Sequence, residues 1–177
     1  MSIGFRHADN RYPFLWESDT QPAGRWHADG EGPCQYLADT PDGAWAEFLR
    51  HEEITDPADL PGIARSIWAV DVPDAVLGRA HPAAAPDMLG GPDSYPSCQG
   101  YARGHRARGV TQMTAPSAAL VPGGARGQFT DNGLREATAR DGTVWVLFGR
   151  RPGLRAWRVA ERGSPPPRVL RLTRQMS

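Results

Sequence analysis

Hydrophobic and polar residues alternate along residues 66–72 (SIWAVDV), and residues 143–148 (TVWVLF) combine β-branched with aromatic side chains. Both patterns are typical of β-strands. We expect residues 154–159 (LRAWRV) to form a strand that pairs with 143–148, because a proline and a glycine at 151–153 favour a turn between them. The other predicted strands are shorter: residues 3–7, residues 35–38 and a strand within 110–120.

A helical spacing follows the second of the short strands. Apolar side chains recur there on one face of a helix: Trp45, Phe48 and Leu49. Asp39 or Thr40 is the expected N-cap, and Pro41 suits the first turn. The pattern therefore predicts a helix over residues 42–52. A second helix is predicted over residues 97–108.

Glycine and proline are frequent in the remaining stretches, with 20 glycines and 17 prolines in 177 residues. They favour turns and long connections, and we expect residues 73–96 to be a surface excursion. Short strands mixed with a few helices predict an α+β fold: a single domain with mixed short-stranded sheets and flanking helices. We expect one domain over residues 1–163 and a peripheral proline-rich tail over 164–177.

The charges balance, with twenty basic and twenty acidic residues, and every basic residue is an arginine. A nucleic-acid partner is not expected, since no net positive charge attracts phosphates. The absence of lysine excludes Schiff-base chemistry and a P-loop.

Cysteines and histidines give no sign of a metal site. Cys34 and Cys98 are far apart, and the five histidines lack metal-ligand spacing. No stretch approaches 18 consecutive apolar residues, and the first residues lack the apolar run of a signal peptide. We therefore expect no metal, no membrane span and a cytoplasmic location.

The predicted helix carries a carboxylate, Glu47, at the edge of its apolar stripe. It shares a helix face with Ala44 and His51 and borders the apolar stripe, so that packing can fix its backbone beside a cleft. From the spacing alone, a solvent-exposed glutamate is the simpler interpretation.

Several short motifs resemble the RES-domain family, which is named for an arginine, a glutamate and a serine. The central segments that match are Gly24-Arg25-Trp26, a glycine-rich turn at 30–32, Tyr36-Leu37-Ala38 and Ala44-Trp45-Ala46-Glu47. The flanking segments that match are Phe5-Arg6, Gly109-Val110 and Pro116-Ser117-Ala118. The chain departs from the family pattern at His7, where some members have tyrosine, and in a longer glycine-rich linker after Ser117.

The resemblance implies an ADP-ribosyltransferase-like fold that binds NAD as a substrate in a cleft between two small sheets. It implies that residues 1–163 form an NAD-binding catalytic domain, and it assigns Glu47, Arg25 and Ser117 to catalysis. Residues expected to contact the dinucleotide are Arg6, Arg25, Tyr36, Ser117 and Asn132. Tyr36 is equally well explained as a core strand residue. A serine-hydrolase role for Ser117 is excluded by the lack of a G-x-S-x-G elbow.

The family resemblance also implies a reaction. Known members consume NAD by cleaving the nicotinamide–ribose bond, with water or phosphate as acceptor, and many are toxins neutralised by an antitoxin. Two alternatives remain: an ADP-ribosyltransferase acting on another acceptor, and an NAD-using enzyme of specialised metabolism. The presence of Arg25, Glu47 and Ser117 argues against a non-catalytic nucleotide-binding module. A separate antitoxin protein and a homodimer are the partners left open.

Overall fold

The computed structural model describes residues 2–72, 77–79 and 85–176, which contain nine strands and four α-helices. The strands are β1 (Ser2–Asp9), β2 (Cys34–Ala38), β3 (Arg65–Val72), β4 (Leu77–Arg79), β5 (Gln112–Pro116), β6 (Gln128–Thr130), β7 (Leu134–Glu136), β8 (Thr143–Phe148) and β9 (Ala156–Gly163). The helices are α1 (Pro41–His51), α2 (Ala85–Leu89), α3 (Tyr95–Ala107) and α4 (Arg168–Leu172), and short 3-10 helices span Pro57–Gly62 and Pro92–Ser94.

Seven of the strands form one sheet in the order β4-β5-β8-β2-β1-β3-β9, and β6 and β7 form a separate hairpin. Only β4 and β5 run parallel among the paired strands that the structure describes. β1 pairs with β3 along its whole length but with β2 at one position, Phe5 opposite Ala38. The two halves of the sheet, β4-β5-β8-β2 and β1-β3-β9, are therefore joined at a single pair of residues.

Two core clusters lie on one face of this sheet, and a third, smaller cluster around Leu37 and Val70 lies on the opposite face. One cluster packs α1 and α4 against β3 and the segment after β5, through residues such as Leu49, Ile67 and Val169. A second cluster packs α2 and α3 against β5 and β8, through Met88, Ala102 and Val146. None of the helices within the described residues is long and apolar enough to cross a membrane.

Several elements lie where the local sequence pattern predicted them. Thr40 caps α1, its Oγ1 accepting a hydrogen bond of 3.0 Å from the Gly43 amide, with Pro41 at the first position. The predicted strand at 143–148 coincides with β8. The second predicted helix corresponds to α3, which begins at Tyr95 and is not interrupted by Gly100 or Gly104.

The predicted pairing of residues 154–159 with β8 is wrong. β8 has β2 on one side and β5 on the other, so both of its edges are occupied. The chain leaves the turn and forms β9, which pairs with β3 at the far edge of the sheet. The sheet's overall strand order, rather than the local turn, decides this pairing.

Two segments expected at the periphery are also part of the folded core. In the tail, Val169 of α4 is fully buried, and Thr173 forms a bridge with Leu120. Within the expected surface excursion, Met88 of α2 is buried at 1% exposure. Residues 73–76 and 80–84 of that excursion lie outside the described residues.

Candidate active site

A cavity of about 380 Å³ lies where β1 and β2 diverge. β1 supplies Phe5, Arg6 and His7 to its walls, and the long loop before β2 supplies residues that include Trp16 and Arg25. The remaining walls come from β2, α1, the end of β5 and the segment after it, β8, the start of α3 and the C-terminal segment. Their residues are Tyr36, Ala38, Ala44, Glu47, Arg50, His51, Pro116, Ala118, Val144, Tyr95 and Met176.

Glu47 projects from α1 into this cavity, with its backbone fixed by the buried neighbours Ala46 and Phe48. Burial raises the pKa of the Glu47 carboxyl, while the positive charges of Arg50 and Arg25 act in the opposite direction. The carboxylate is thus partly shielded from water and lies near the positive charges of two arginines.

Ser117 holds Glu47 in place. Its Oγ lies 3.3 Å from Glu47 Oε1, to which the hydroxyl donates. The same oxygen accepts hydrogen bonds from the amides of Ala119 (3.2 Å) and Leu120 (3.3 Å). The hydroxyl has one proton and two lone pairs, so these three bonds use its full capacity. Ser117 is 5% exposed and is not among the residues that line the cavity.

Arg6 contributes a charged group to the cavity wall. Its Nη1 donates to Gln35 Oε1 at 2.6 Å, and Gln35 Nε2 donates to the Trp16 carbonyl at 2.5 Å. Burial lowers the pKa of Arg6 to about 10, so the guanidinium remains charged at neutral pH. Its other donors have no bond to protein in the described residues, which leaves them free to face the cavity.

The guanidinium of Arg25 is largely occupied by protein groups. Nη1 donates to the Asp87 carbonyl at 2.7 Å and to Ser94 Oγ at 3.1 Å, and Nη2 donates to the Gly90 carbonyl at 2.7 Å. The group also lies over the ring of Tyr95, 4.8 Å from its centroid. Arg25 therefore fixes the segment after α2 at the edge of the cavity.

Tyr36 lines the cavity, and hydrogen bonds to the loop before β2 hold its hydroxyl. The hydroxyl accepts a hydrogen bond of 3.0 Å from the Trp26 amide and lies 2.9 Å from His27 Nδ1. Burial raises the pKa of this phenol well above its ordinary value, so it stays neutral. The ring has a fixed orientation that suits contact with a planar group.

The family is decided by comparison with known proteins. The family model for the RES domain matches residues 4–164. This chain belongs to the RES-domain family. A comparison with curated proteins by sequence gives no match.

The fold of this RES-domain chain is similar to one in the crystal structure of the M. tuberculosis MbcT-MbcA toxin-antitoxin complex. The TM-score is 0.58 at 16% sequence identity, and the alignment covers 96% of this chain and 87% of that chain. The expected α+β fold, ADP-ribosyltransferase-like and in a single domain, is confirmed.

Asn132 lies apart from the other residues selected in this RES domain. It occupies the turn between β6 and β7, is exposed and has a φ of 49°. It does not line the cavity. The five other selected residues converge on the cavity or on Glu47: Arg6, Arg25, Tyr36, Glu47 and Ser117.

Arg50 was missed by the sequence analysis, although it joins three parts of the site. It is 6% exposed and donates from Nη1 to the Ala118 carbonyl and from Nη2 to the carbonyls of Leu89 (3.1 Å) and Gly90 (2.9 Å). These partners lie 39 to 68 residues away in sequence, so that no local pattern could indicate them.

His7 was also missed as a cavity residue. Burial, followed by the positive charges of Arg65 and Arg6, lowers the pKa of His7 to about 3, so the imidazole is neutral at physiological pH. Its Nδ1 accepts a hydrogen bond of 3.2 Å from Arg65 Nε. No group of three or more metal-ligating side chains occurs within the described residues.

Proposed function

We propose that this RES-domain protein consumes NAD by cleaving the bond between nicotinamide and ribose. The observation that carries the proposal is the carboxylate of Glu47, held by Ser117 in a partly buried cavity with arginines on its walls. Membership of the RES-domain family supports the same activity.

Breaking an N-glycosidic bond leaves positive charge on the ribose in the transition state. A fixed carboxylate stabilises that charge most strongly where water is excluded. Nicotinamide departs from a cationic ring as a neutral molecule, so no general acid has to protonate it. A site with one carboxylate therefore suits this bond, whereas ordinary glycosidases need an acid–base pair.

The arginines suit a substrate with two phosphates. Arg6 has unused donors on the cavity wall and is proposed to bind a phosphate oxygen directly. Arg25 and Arg50 use most of their donors on protein oxygens, so we propose that they act through their charge and by fixing the cavity edge. The ring of Tyr36 is proposed to stack on a ring of the dinucleotide.

Ser117 takes a different role from the one that the family resemblance implied. Because its hydroxyl is fully used, a direct bond from Ser117 to phosphate or ribose would break an existing bond. We propose that Ser117 is a positioning residue for Glu47.

The physiological role proposed is that of a toxin controlled by a separate antitoxin. The support is similarity in fold to a chain from the MbcT-MbcA toxin-antitoxin complex. Water and inorganic phosphate are the proposed acceptors. Transfer of ADP-ribose to another acceptor and a place in specialised metabolism are the alternatives for the same chemistry.

Incubation of the purified protein with NAD, with and without inorganic phosphate, tests the reaction and its acceptor. Mass spectrometry should identify ADP-ribose as the second product if water is the acceptor, and its phosphorylated form if phosphate is. Formation of AMP and nicotinamide mononucleotide would show cleavage of the diphosphate and overturn the proposal.

A further inference from the structure

The C-terminal segment after α4 contacts the part of the chain that carries Ser117. The Leu172 carbonyl accepts a hydrogen bond of 2.9 Å from the Val121 amide, and the Arg174 amide donates one of 2.7 Å to the Ala119 carbonyl. Arg174 Nη2 also donates to the Leu120 carbonyl at 3.2 Å. The backbone of residues 172–174 thus fixes residues 119–121, just after the serine that holds Glu47.

Met176 lines the cavity two residues beyond this contact. Two residues of chain span at most about 7 Å, so Met176 lies near the Ala119 contact. Ala118, the neighbour of Ala119, lines the cavity as well, and Ser117 bonds Glu47 at 3.3 Å. Met176 thus lines the same cavity as Glu47, and the residues just before it contact the segment that follows Ser117.

We propose that the C-terminal residues Thr173, Arg174 and Met176 belong to the active site. The side chain of Met176 forms part of the cavity wall and contacts the bound dinucleotide. This inference rests on the proposed function for the identity of the ligand, whereas the position of Met176 rests on the structure alone. The flexible, polarizable thioether of methionine packs well against a planar ring, and each end of a dinucleotide carries such a ring. The segment lies beyond residues 4–164, the part of the chain that the family model matches.

The neighbouring residue Gln175 provides a matched control, because its side chain is exposed and does not line the cavity. The two natural cysteines, Cys34 and Cys98, are both 1% exposed. A cysteine introduced at 175 or 176 is therefore the thiol that an alkylating reagent reaches first.

The experiment compares Met176→Cys with Gln175→Cys, each labelled with an environment-sensitive naphthalene maleimide. We expect the label at 176 to abolish most NAD turnover and to emit at shorter wavelength, as in an apolar cavity. The label at 175 should leave turnover near its unlabelled value and emit as in water. Equal turnover and equal emission of the two labelled proteins would overturn the inference.

Unlabelled Met176→Ala separates substrate contact from a structural effect. We expect KM for NAD to rise about fivefold with kcat nearly unchanged, the loss expected for one or two methylene-sized contacts. An unchanged KM would contradict the contact with substrate. If the wild-type protein does not turn over NAD, the proposed function fails, and the emission of the label alone then decides whether Met176 lines the cavity.

Discussion

The Ser117 hydroxyl and the Glu47 carboxylate form the pair on which the proposed chemistry depends. Ser117→Ala removes a hydrogen bond to a charged group, so we expect kcat/KM for NAD to fall about tenfold. The bond from Ser117 lowers the pKa of Glu47, so its loss raises that pKa further. Glu47 must be ionised to act, and the acid limb of the pH–rate profile should therefore move to higher pH.

Ser97→Ala is the matched control for that variant. Ser97 Oγ also donates to a carboxylate, Asp87 Oδ2 at 2.6 Å, but this pair is exposed. We expect a wild-type pH–rate profile for Ser97→Ala. A Ser117→Ala profile that coincides with it would remove Ser117 from the site.

Arg25 provides a second test at the scale of single residues. Arg25→Ala and Arg25→Lys both lose the planar fork that bonds the Asp87 and Gly90 carbonyls. We expect NAD binding to weaken by about 1.5–3 kcal/mol, because charge-assisted hydrogen bonds that fix the edge of the cavity are lost. Calorimetry with NAD measures this, and unchanged affinity in both variants would show that Arg25 does not influence the NAD site.

Among the elements, α4 provides the clearest test of packing. Val169 is fully buried against α1 and its neighbours. Val169→Ala removes two buried carbons, and we expect the free energy of unfolding to fall by about 2 kcal/mol. Urea denaturation measures the change, with exposed Arg171→Ala of the same helix as control. A stability equal to that of the control would mean that α4 is not docked.

The elements also show which structural signals are local. α1 was predictable because its cap, its proline and its apolar spacing all lie within a dozen residues. The partner of β9 was not, since pairing depends on which sheet edges the rest of the chain leaves free. The role of the tail was missed for the same reason: the contacts of α4 and Thr173 are with α1 and Leu120, far away in sequence.

In the candidate site too, short sequence motifs indicate some of the residues, and only the folded structure identifies the others. Glu47 and Arg25 stand in short motifs, and the family resemblance identified both. The bonds of Arg50 and the position of Met176 depend on distant segments, which only the folded chain brings together. Asn132, which the family resemblance suggested as a contact to the dinucleotide, lies instead in an exposed hairpin turn.

For the whole molecule, the histidine pKa values predict loss of stability in acid. The pKa of His7 is about 3 in the fold against an ordinary value of 6.5, and burial lowers the pKa of His27 as well. Below pH 6.5 the unfolded chain therefore binds more protons than the folded one, and stability falls as pH decreases towards 3. Glu31, with a pKa of about 2, loses its stabilising contribution only below its ordinary value of 4.5.

Urea denaturation at pH 7.5 and pH 5.5 tests the histidine contribution, since Glu31 is ionised at both. Glu47, whose pKa burial raises, acts in the opposite direction, so a His7 variant is needed to assign the difference to His7. We expect a lower free energy of unfolding at pH 5.5. His7→Asn keeps an acceptor for Arg65 but does not titrate, so it should reduce this difference. An unchanged difference in His7→Asn would contradict the low pKa.

The central claim is that Glu47 promotes cleavage of the nicotinamide–ribose bond. The most direct measurement is chromatographic detection of nicotinamide released from NAD by the wild-type protein and by Glu47→Gln, which keeps the shape of the side chain but not its charge. We predict one nicotinamide for each NAD consumed by the wild type and almost none from a folded Glu47→Gln protein. Near-wild-type release by Glu47→Gln, or consumption of NAD without nicotinamide, would contradict the account.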